Sequence, residues 1–402
     1  MEQLSPNEHS ALARVEHAAM LAQVQKWSAI NSGSANLRGL QTMADLLADE
    51  FSALPGEVEL VSPAAVERVR GDGVIEMVEH GSHLVLTVRP MAPTQLLLTG
   101  HMDTVFAADH PFQQQHWLED GTLNGPGVAD MKGGISVMLA ALLAFETTKG
   151  CSQLGYQVMI NSDEEVGSPS SAPLIVQLAK AKLAALTYEP ALPDGTLAGE
   201  RAGSGNFSII IAGKSAHAGR NPDDGRNALL AAADLALRLK ALSHPLLSVN
   251  PARIEGGSPN NVVPDHAVLR VNFRPRTVEV ADETGSKIRC LIALIETEHG
   301  VTAHLHGSFA RPPKPIDAGS AKLFNLVKQC GEELGLPINW KSTGGVCDGN
   351  NIAACGIPVV DTMGVRGGNI HSAQEFLITE SLVERAQLSA LTIMRIAAKG
   401  AI

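Results

Sequence analysis

Four short apolar runs each stop abruptly at polar residues: Gln95-Leu-Leu-Leu-Thr-Gly100, Tyr156-Gln-Val-Met-Ile-Asn161, Leu183-Ala-Ala-Leu-Thr-Tyr188 and Ile357-Pro-Val-Val-Asp361. Helical stretches lie between or beside them, near 134–145, 173–180 and 320–334. Strands alternating with helices imply an α/β layer structure around a mostly parallel sheet. Upstream, residues 8–52 read as helical from apolar positions at three- and four-residue spacing, broken at Gly39 or at Asn31-Ser-Gly33.

Between about residues 203 and 315 the order changes to strand 206–212, helix 227–242, strand-like 252–255 and 267–273, helix 280–298 and strand 301–306. This is a compact α+β insert, and Pro312-Pro313-Lys314-Pro315 reads as its return linker because prolines stop helix propagation. The expected division is 1–202 with 316–402 as one catalytic unit and 203–315 as the insert. A chain of 402 residues has room for two cores, since one core seldom serves more than about 250–300 residues.

An apolar share of 45% with 18% charged residues excludes a disordered chain. The formal charge of −11 and the lack of a Lys/Arg block argue against a nucleic-acid partner. Five cysteines, an odd number without a Cys-x-x-Cys pair, argue against a disulfide framework or a thiolate metal site. Residues 1–9 lack a basic, then apolar secretory pattern, and no run of about 18 apolar residues stands out as a membrane span. The expected setting is the cytoplasm.

The chemistry gathers at the ends of the apolar runs, where ligands bind in an open α/β sheet. Gly100-His101-Met-Asp103 sets an imidazole and a carboxylate two residues apart, and Asp103 could fix the tautomer of His101 if that histidine holds a metal. Asp130 lies in the glycine-rich turn Gly125-Pro-Gly-Val-Ala-Asp130-Met-Lys-Gly133-Gly134, where it is either a helix N-cap or a ligand; the spacing is not that of a dinucleotide fingerprint. Asp163-Glu164-Glu165 packs three acids together, which needs solvent or a cation to relieve the repulsion. Glu189 ends another apolar run, and His371 sits on a glycine-rich loop before the last helix. Two imidazoles with several carboxylates form the nitrogen-plus-oxygen set that zinc accepts.

In order along the chain, Gly100-His-Met-Asp-Thr-Val105, Gly125 to Gly134, Asp163-Glu-Glu-Val-Gly167, Ser215-Ala-His-Ala-Gly219, Asn261-Val-Val-Pro264 and His371-Ser-x-x-Glu375 resemble the metallopeptidase family of acetylornithine deacetylase, succinyl-diaminopimelate desuccinylase and glutamate carboxypeptidase. The resemblance runs from about residue 95 to the end of the chain. It implies a zinc-peptidase catalytic domain with an inserted lid and dimerisation domain, and two Zn²⁺ ions for which Co²⁺ or Mn²⁺ could substitute. Asp130 would bridge them, with His101 and Glu189 on one and Glu165 and His371 on the other. Glu164 would be the general base and Asp103 the partner of His101. His217 would act as an oxyanion donor reaching the neighbouring subunit of a homodimer, helped by Asn261.

For substrate, the resemblance points to Arg274, and more weakly Arg311, as forks for a free carboxylate. The segment Thr343-Gly344-Gly-Val-Cys347-Asp348 would line the pocket, although Cys347 replaces the small hydroxyl residue or glycine expected there. Glu rather than Asp at position 189 falls on the glutamate carboxypeptidase side. The expected function is cleavage of an amide bond next to a free carboxylate in a small peptide, releasing a carboxyl-terminal amino acid such as glutamate. An N-acyl-amino-acid deacylase or dipeptidase would use the same site, and a metal-binding module without catalysis would have no need of Glu164.

Overall fold

The computed structural model describes residues 4–119 and 121–402; residues 1–3 of the amino-terminal stretch read above lie outside the described residues. Its centre is a six-stranded sheet, in the order Glu57–Val61, His83–Val88, Leu154–Asn161, Thr94–His101, Ala184–Thr187 and Val359–Val360. The last four run parallel, and the first two pair antiparallel at one edge. This is the mostly parallel α/β arrangement expected from the four apolar runs. The two antiparallel strands were not anticipated, although His83-Leu-Val-Leu-Thr-Val88 is as apolar as its neighbours.

Side chains alternate across a strand, so one apolar run must fill two cores. Leu96, Leu98, Val158 and Ile160 pack with the helices Leu37–Phe51, Gly134–Glu146, Ala318–Glu333 and Ser381–Lys399. Leu97, Val85 and Met159 face the helices Ala172–Ala179 and Asp348–Ala354 on the other side. Layers on both faces leave the carboxyl ends of the parallel strands as the accessible rim. The segment Val128–Glu146 is long and apolar enough to cross a membrane, but 89% of it lies buried inside the fold, so its hydropathy reflects packing between layers.

The amino-terminal helical region divides into Pro6–Leu12, His17–Ser28 and Leu37–Phe51. The break is at Asn31-Ser-Gly33; Gly39 lies within the third helix, where a Cβ would stand 1.9 Å from the carbonyl oxygen of Asn31. Close approach, not helix breaking, calls for glycine there.

A second core forms between Phe207 and Val301, under a four-stranded antiparallel sheet ordered Leu247–Gly256, His266–Pro275, Ser204–Ala212 and Thr302–Arg311. Helices Ala228–Lys240 and Val278–His299 cover one face. The strand Leu247–Gly256 begins five residues before the expected 252, because Pro251 interrupts its apolar pattern. An edge strand tolerates a residue that cannot donate, and the register slips between Pro251 and Arg253.

The two crossings between these bodies lie side by side. Arg201 and Lys314 exchange backbone hydrogen bonds of 2.9 and 3.0 Å, and Asn350 Nδ2 donates to the carbonyls of Ala202 and Pro312. Both side chains also converge on the buried carboxylate of Asp361, Arg201 at 2.6 Å and Lys314 at 3.2 Å.

At the start of helix Gly134–Glu146, a Cβ on Gly134 would stand 2.0 Å from the carbonyl oxygen of Tyr188. Helix and strand end therefore touch backbone to backbone. Gly134→Ala is expected to destabilise the protein by roughly 1–3 kcal/mol, the usual cost of overpacking, and to lower metal uptake because it displaces Glu189. Calorimetry and metal analysis check this; an unchanged thermal midpoint would mean the contact is loose.

Candidate metal centre

The last residue of the strand Thr94–His101 is His101, 1% exposed. Its Nδ1 lies 3.0 Å from the carbonyl oxygen of Asp103. A carbonyl can only accept, so Nδ1 carries a proton, and Nε2 is the ring nitrogen turned to the rim. The carboxylate of Asp103 is farther, at 3.4 Å. Its main work is elsewhere: it accepts from the backbone amides of Glu164 and Glu165, each at 3.1 Å, and from Ser34 Oγ at 2.7 Å. Asp103 thus ties the strand end bearing His101 to the turn bearing both glutamates.

Asp130 occupies the middle. His101 Nε2 lies 3.1 Å from its Oδ1 and His371 Nε2 lies 3.2 Å from its Oδ2, so each carboxylate oxygen faces one imidazole. Glu189 stands 3.8 Å from His101 Nε2, and Glu165 stands 3.1 Å from His371 Nε2. All five candidate ligands therefore meet, arranged on either side of Asp130. His371 takes a left-handed backbone (φ 63°), an uncommon conformation for a residue with a side chain, and it turns the ring toward Asp130.

The loop carrying Asp130 is held by Glu375, whose carboxylate accepts from the backbone amides of Gly127, Ala129 and Asp130, each at 3.0 Å. Glu375 ends the His371-Ser-x-x-Glu375 motif, and its signal in the sequence is the histidine four residues ahead of it. Two further buried charges were missed, since a charged residue among glycines and alanines reads as exposed. Arg201 reaches Asp361 and the Gly345 carbonyl, and Lys132 donates to the carbonyls of Trp27 and Ile30.

Burial pushes the Glu165 carboxyl up to about 7, with the charge of Asp130 adding to it. Burial likewise raises Glu164 and Glu189. Hydrogen bonds to Asp130 and Glu165 push His371 up to about 11, and His101 is raised despite burial by Glu189, Asp103 and Asp130. Burial alone would raise Asp130, but the two imidazoles hold it below its ordinary range. Carboxylates that resist ionisation beside imidazoles that retain protons mark a place where positive charge is required.

The donor chemistry fits divalent metal ions. Donor atoms of His101, Asp130 and Glu165 lie within 4.8 Å of one another, as do those of His101, Glu164 and Glu189. The set is imidazole and carboxylate without thiolate, as zinc accepts. Cys347 is not part of it: burial raises its thiol, and its Sγ accepts from the amide of Gly349 at the start of helix Asp348–Ala354.

Glu164 is 7% exposed, and its Oε1 lies 2.7 Å from Arg311 Nη2 but is not aligned as a hydrogen bond. Arg311 also donates to the Glu164 carbonyl at 2.8 Å and to Ser168 Oγ at 3.0 Å. It is therefore turned toward Glu164 and away from the cavity. Arg274 is half-buried near the end of strand His266–Pro275, where its Nε donates to Asn272, and burial and the charge of Arg311 lower its pKa.

A cavity of about 270 Å³ opens beside Asp130, Glu164, Glu189 and His371, walled by Thr196–Ala198 and by Gly345–Cys347. Gly344 lies just outside this lining, exposed. His217 and Asn261 are exposed on the second body, and neither lines the cavity. His217 Nδ1 accepts from the amides of Gly219 and Arg220, both at 3.1 Å, which leaves Nε2–H as an outward donor.

Comparison with known proteins gives the family and the fold. The model of Peptidase family M20/M25/M40 matches residues 97–395. The chain is 28% identical over 398 residues to carboxypeptidase G2 of Pseudomonas sp. (strain RS-16), covering 95% of this chain and 90% of that protein. It is 26% identical over 317 residues to succinyl-diaminopimelate desuccinylase of Psychrobacter arcticus, covering 73% and 76%. Its fold is similar to a crystallised tripeptidase of Staphylococcus aureus, with a TM-score of 0.74, 24% identity and coverage of 96% and 100%.

Glu375→Gln replaces one acceptor oxygen by an NH₂ group facing a backbone amide, which should loosen the Asp130 loop. A fall in divalent-metal affinity of about 10- to 100-fold is expected, the range for residues that orient ligands. Competition titration against a chromogenic chelator measures it; unchanged affinity would show that the loop holds itself.

Proposed function

The chain belongs to Peptidase family M20/M25/M40 and is a hydrolytic metallopeptidase; on that premise we propose that it is a co-catalytic two-zinc enzyme cleaving an amide bond next to a free carboxylate and releasing a carboxyl-terminal amino acid such as glutamate. The observation that carries the reading is Asp130, with one oxygen toward His101 and the other toward His371. His101 and Glu189 would hold one ion, Glu165 and His371 the other, and Asp130 both. Similarity to carboxypeptidase G2 along nearly the whole chain supports the carboxypeptidase reading. Similarity to the desuccinylase supports deacylation of an N-acyl amino acid as the second reading. The odd cysteine count supports a reducing, cytoplasmic setting.

When bound, two such ions lower the pKa of a shared water from about 15.7 toward about 7 and polarise the scissile carbonyl. Glu164 takes the proton of the attacking water and passes it to the departing amine. Its raised pKa suits both halves of that exchange, and Arg311 keeps the carboxylate beside the ligands. Arg274, without a carboxylate partner in its hydrogen bonds, is the group we assign to the substrate carboxylate.

The tetrahedral oxyanion needs a further donor, which we assign to His217 of a neighbouring subunit, helped by Asn261. Its fixed Nε2–H donor, exposed away from its own cavity, supports that role. Leu230 and Leu237 lie seven residues apart on helix Ala228–Lys240, and so on one face, and are 61% and 73% exposed, which supports a homodimer.

A hydrolysis screen of zinc-loaded protein against dipeptides and N-acyl amino acids with varied carboxyl-terminal residues tests the activity. Glu164→Gln is expected to lower kcat by about 10²–10⁴, the usual share of a general base, with two metal ions per chain retained. Turnover within a few-fold of wild type would remove Glu164 from the mechanism. The double variant Leu230→Lys, Leu237→Lys is expected to sediment as a monomer with little activity, whereas a wild-type protein that is itself monomeric would contradict His217 acting across subunits.

A further inference from the structure

The cavity beside the metal centre has two cations in its wall, and they differ in kind. Arg201 is buried and already committed to Asp361 at 2.6 Å and to the Gly345 carbonyl at 3.1 Å. Lys341 is exposed, and no carboxylate lies within ion-pair distance of it among the described residues. It stands on the strand Trp340–Thr343, which pairs in parallel with Leu197–Arg201 so that Lys341 is opposite Ala198. The same lining holds Leu192, Thr196 and Leu197 together with the acids Asp130, Glu164 and Glu189. A group in the cavity therefore shares it with the carboxylates of the candidate metal centre, with apolar side chains and with an ammonium that forms no ion pair among the described residues. The acid whose charge Lys341 reaches is Asp194, on an exposed turn and already engaged by the amide of Thr196.

We propose that Lys341 is a specificity-determining residue that selects substrates whose cavity-bound portion ends in an anionic group, a carboxylate at the tip of a short aliphatic chain. This rests on the hydrolase reading above and extends it to the substrate class. An ammonium on the rim gains little from an apolar or cationic tip, whereas a carboxylate there exchanges water for a charge-assisted contact. Because Lys341 is solvated, its contribution is that of a partly screened ion pair and weakens with salt.

The test uses two substrate pairs, each differing only in the charge at one tip: alanyl-glutamate against alanyl-glutamine, and N-succinyl-alanine against N-succinamoyl-alanine. One pair varies the amine side of the scissile bond and the other the acyl side, so the experiment also reports which side occupies the cavity. For zinc-loaded wild-type protein, kcat/KM is expected to favour the anionic member of one pair by about two- to fivefold, as a screened ion pair allows. Lys341→Ala should bring that ratio close to one through KM, Lys341→Glu should reverse it, and added salt should shrink it in wild type alone. The neutral members report any damage to the fold or the metal centre, because a purely structural lysine would slow both members alike. A ratio unchanged in Lys341→Glu overturns the assignment of Lys341 while leaving the hydrolase reading intact. Failure of the wild-type protein to cleave any of the four compounds, or cleavage with no anionic preference in either pair, overturns the substrate class, and the former outcome brings down the amide-hydrolase reading with it.

Discussion

Asp130 is the constraint to which the rest of the rim answers. A buried carboxylate facing two imidazoles and crowded by Glu165 and Glu189 is tolerable only if its position is enforced from behind and positive charge is supplied in front. Enforcement comes from the backbone. Three amides of its loop donate to Glu375, and the glycine that starts the following helix abuts the carbonyl of Tyr188, one residue before Glu189. The loop is thus held by the Glu375 carboxylate and the strand end by this backbone contact.

The second body is bonded to this centre through its crossings. The backbone leaves the α/β core at Arg201 and returns at Lys314, and both side chains neutralise Asp361 inside the fold. Three residues before the return, Arg311 neutralises Glu164 and lies 3.5 Å from Asp348. The lysine and arginine side chains named here therefore pair with carboxylates other than Asp130, Glu165 and Glu189, whose partners among the described residues are the imidazoles of His101 and His371.

Much of this was legible in the sequence, for a physical reason. Strands that end at an active rim change character at one residue, and Gly100-His101, Asn161 and Tyr188-Glu189 display that change directly. The candidate ligands stood out because imidazoles and acids are rare together at such ends. What stayed hidden depended on contacts between distant segments. Arg311 pointing into Glu164 instead of the cavity cannot be read from the strand that carries it. Nor can the three amides that Glu375 gathers from residues 127–130, about 245 positions upstream. Pro251 disguised an edge strand because local pattern does not reveal which strand lies outermost. Lys341 left no trace among the motifs at all, since its importance lies in lining the cavity without an ion-pair partner among the described residues.

The tie between Glu375 and the Asp130 loop also has a temporal side. A chain emerging from the ribosome exposes His101, Asp130, Glu164, Glu165 and Glu189 long before residues 371 and 375 are made. Until then the loop lacks its anchor, the sheet lacks the packing of the helix Ser381–Lys399, and the rim lacks its second imidazole. The paired arrangement around Asp130 is therefore completed only in the last stage of synthesis.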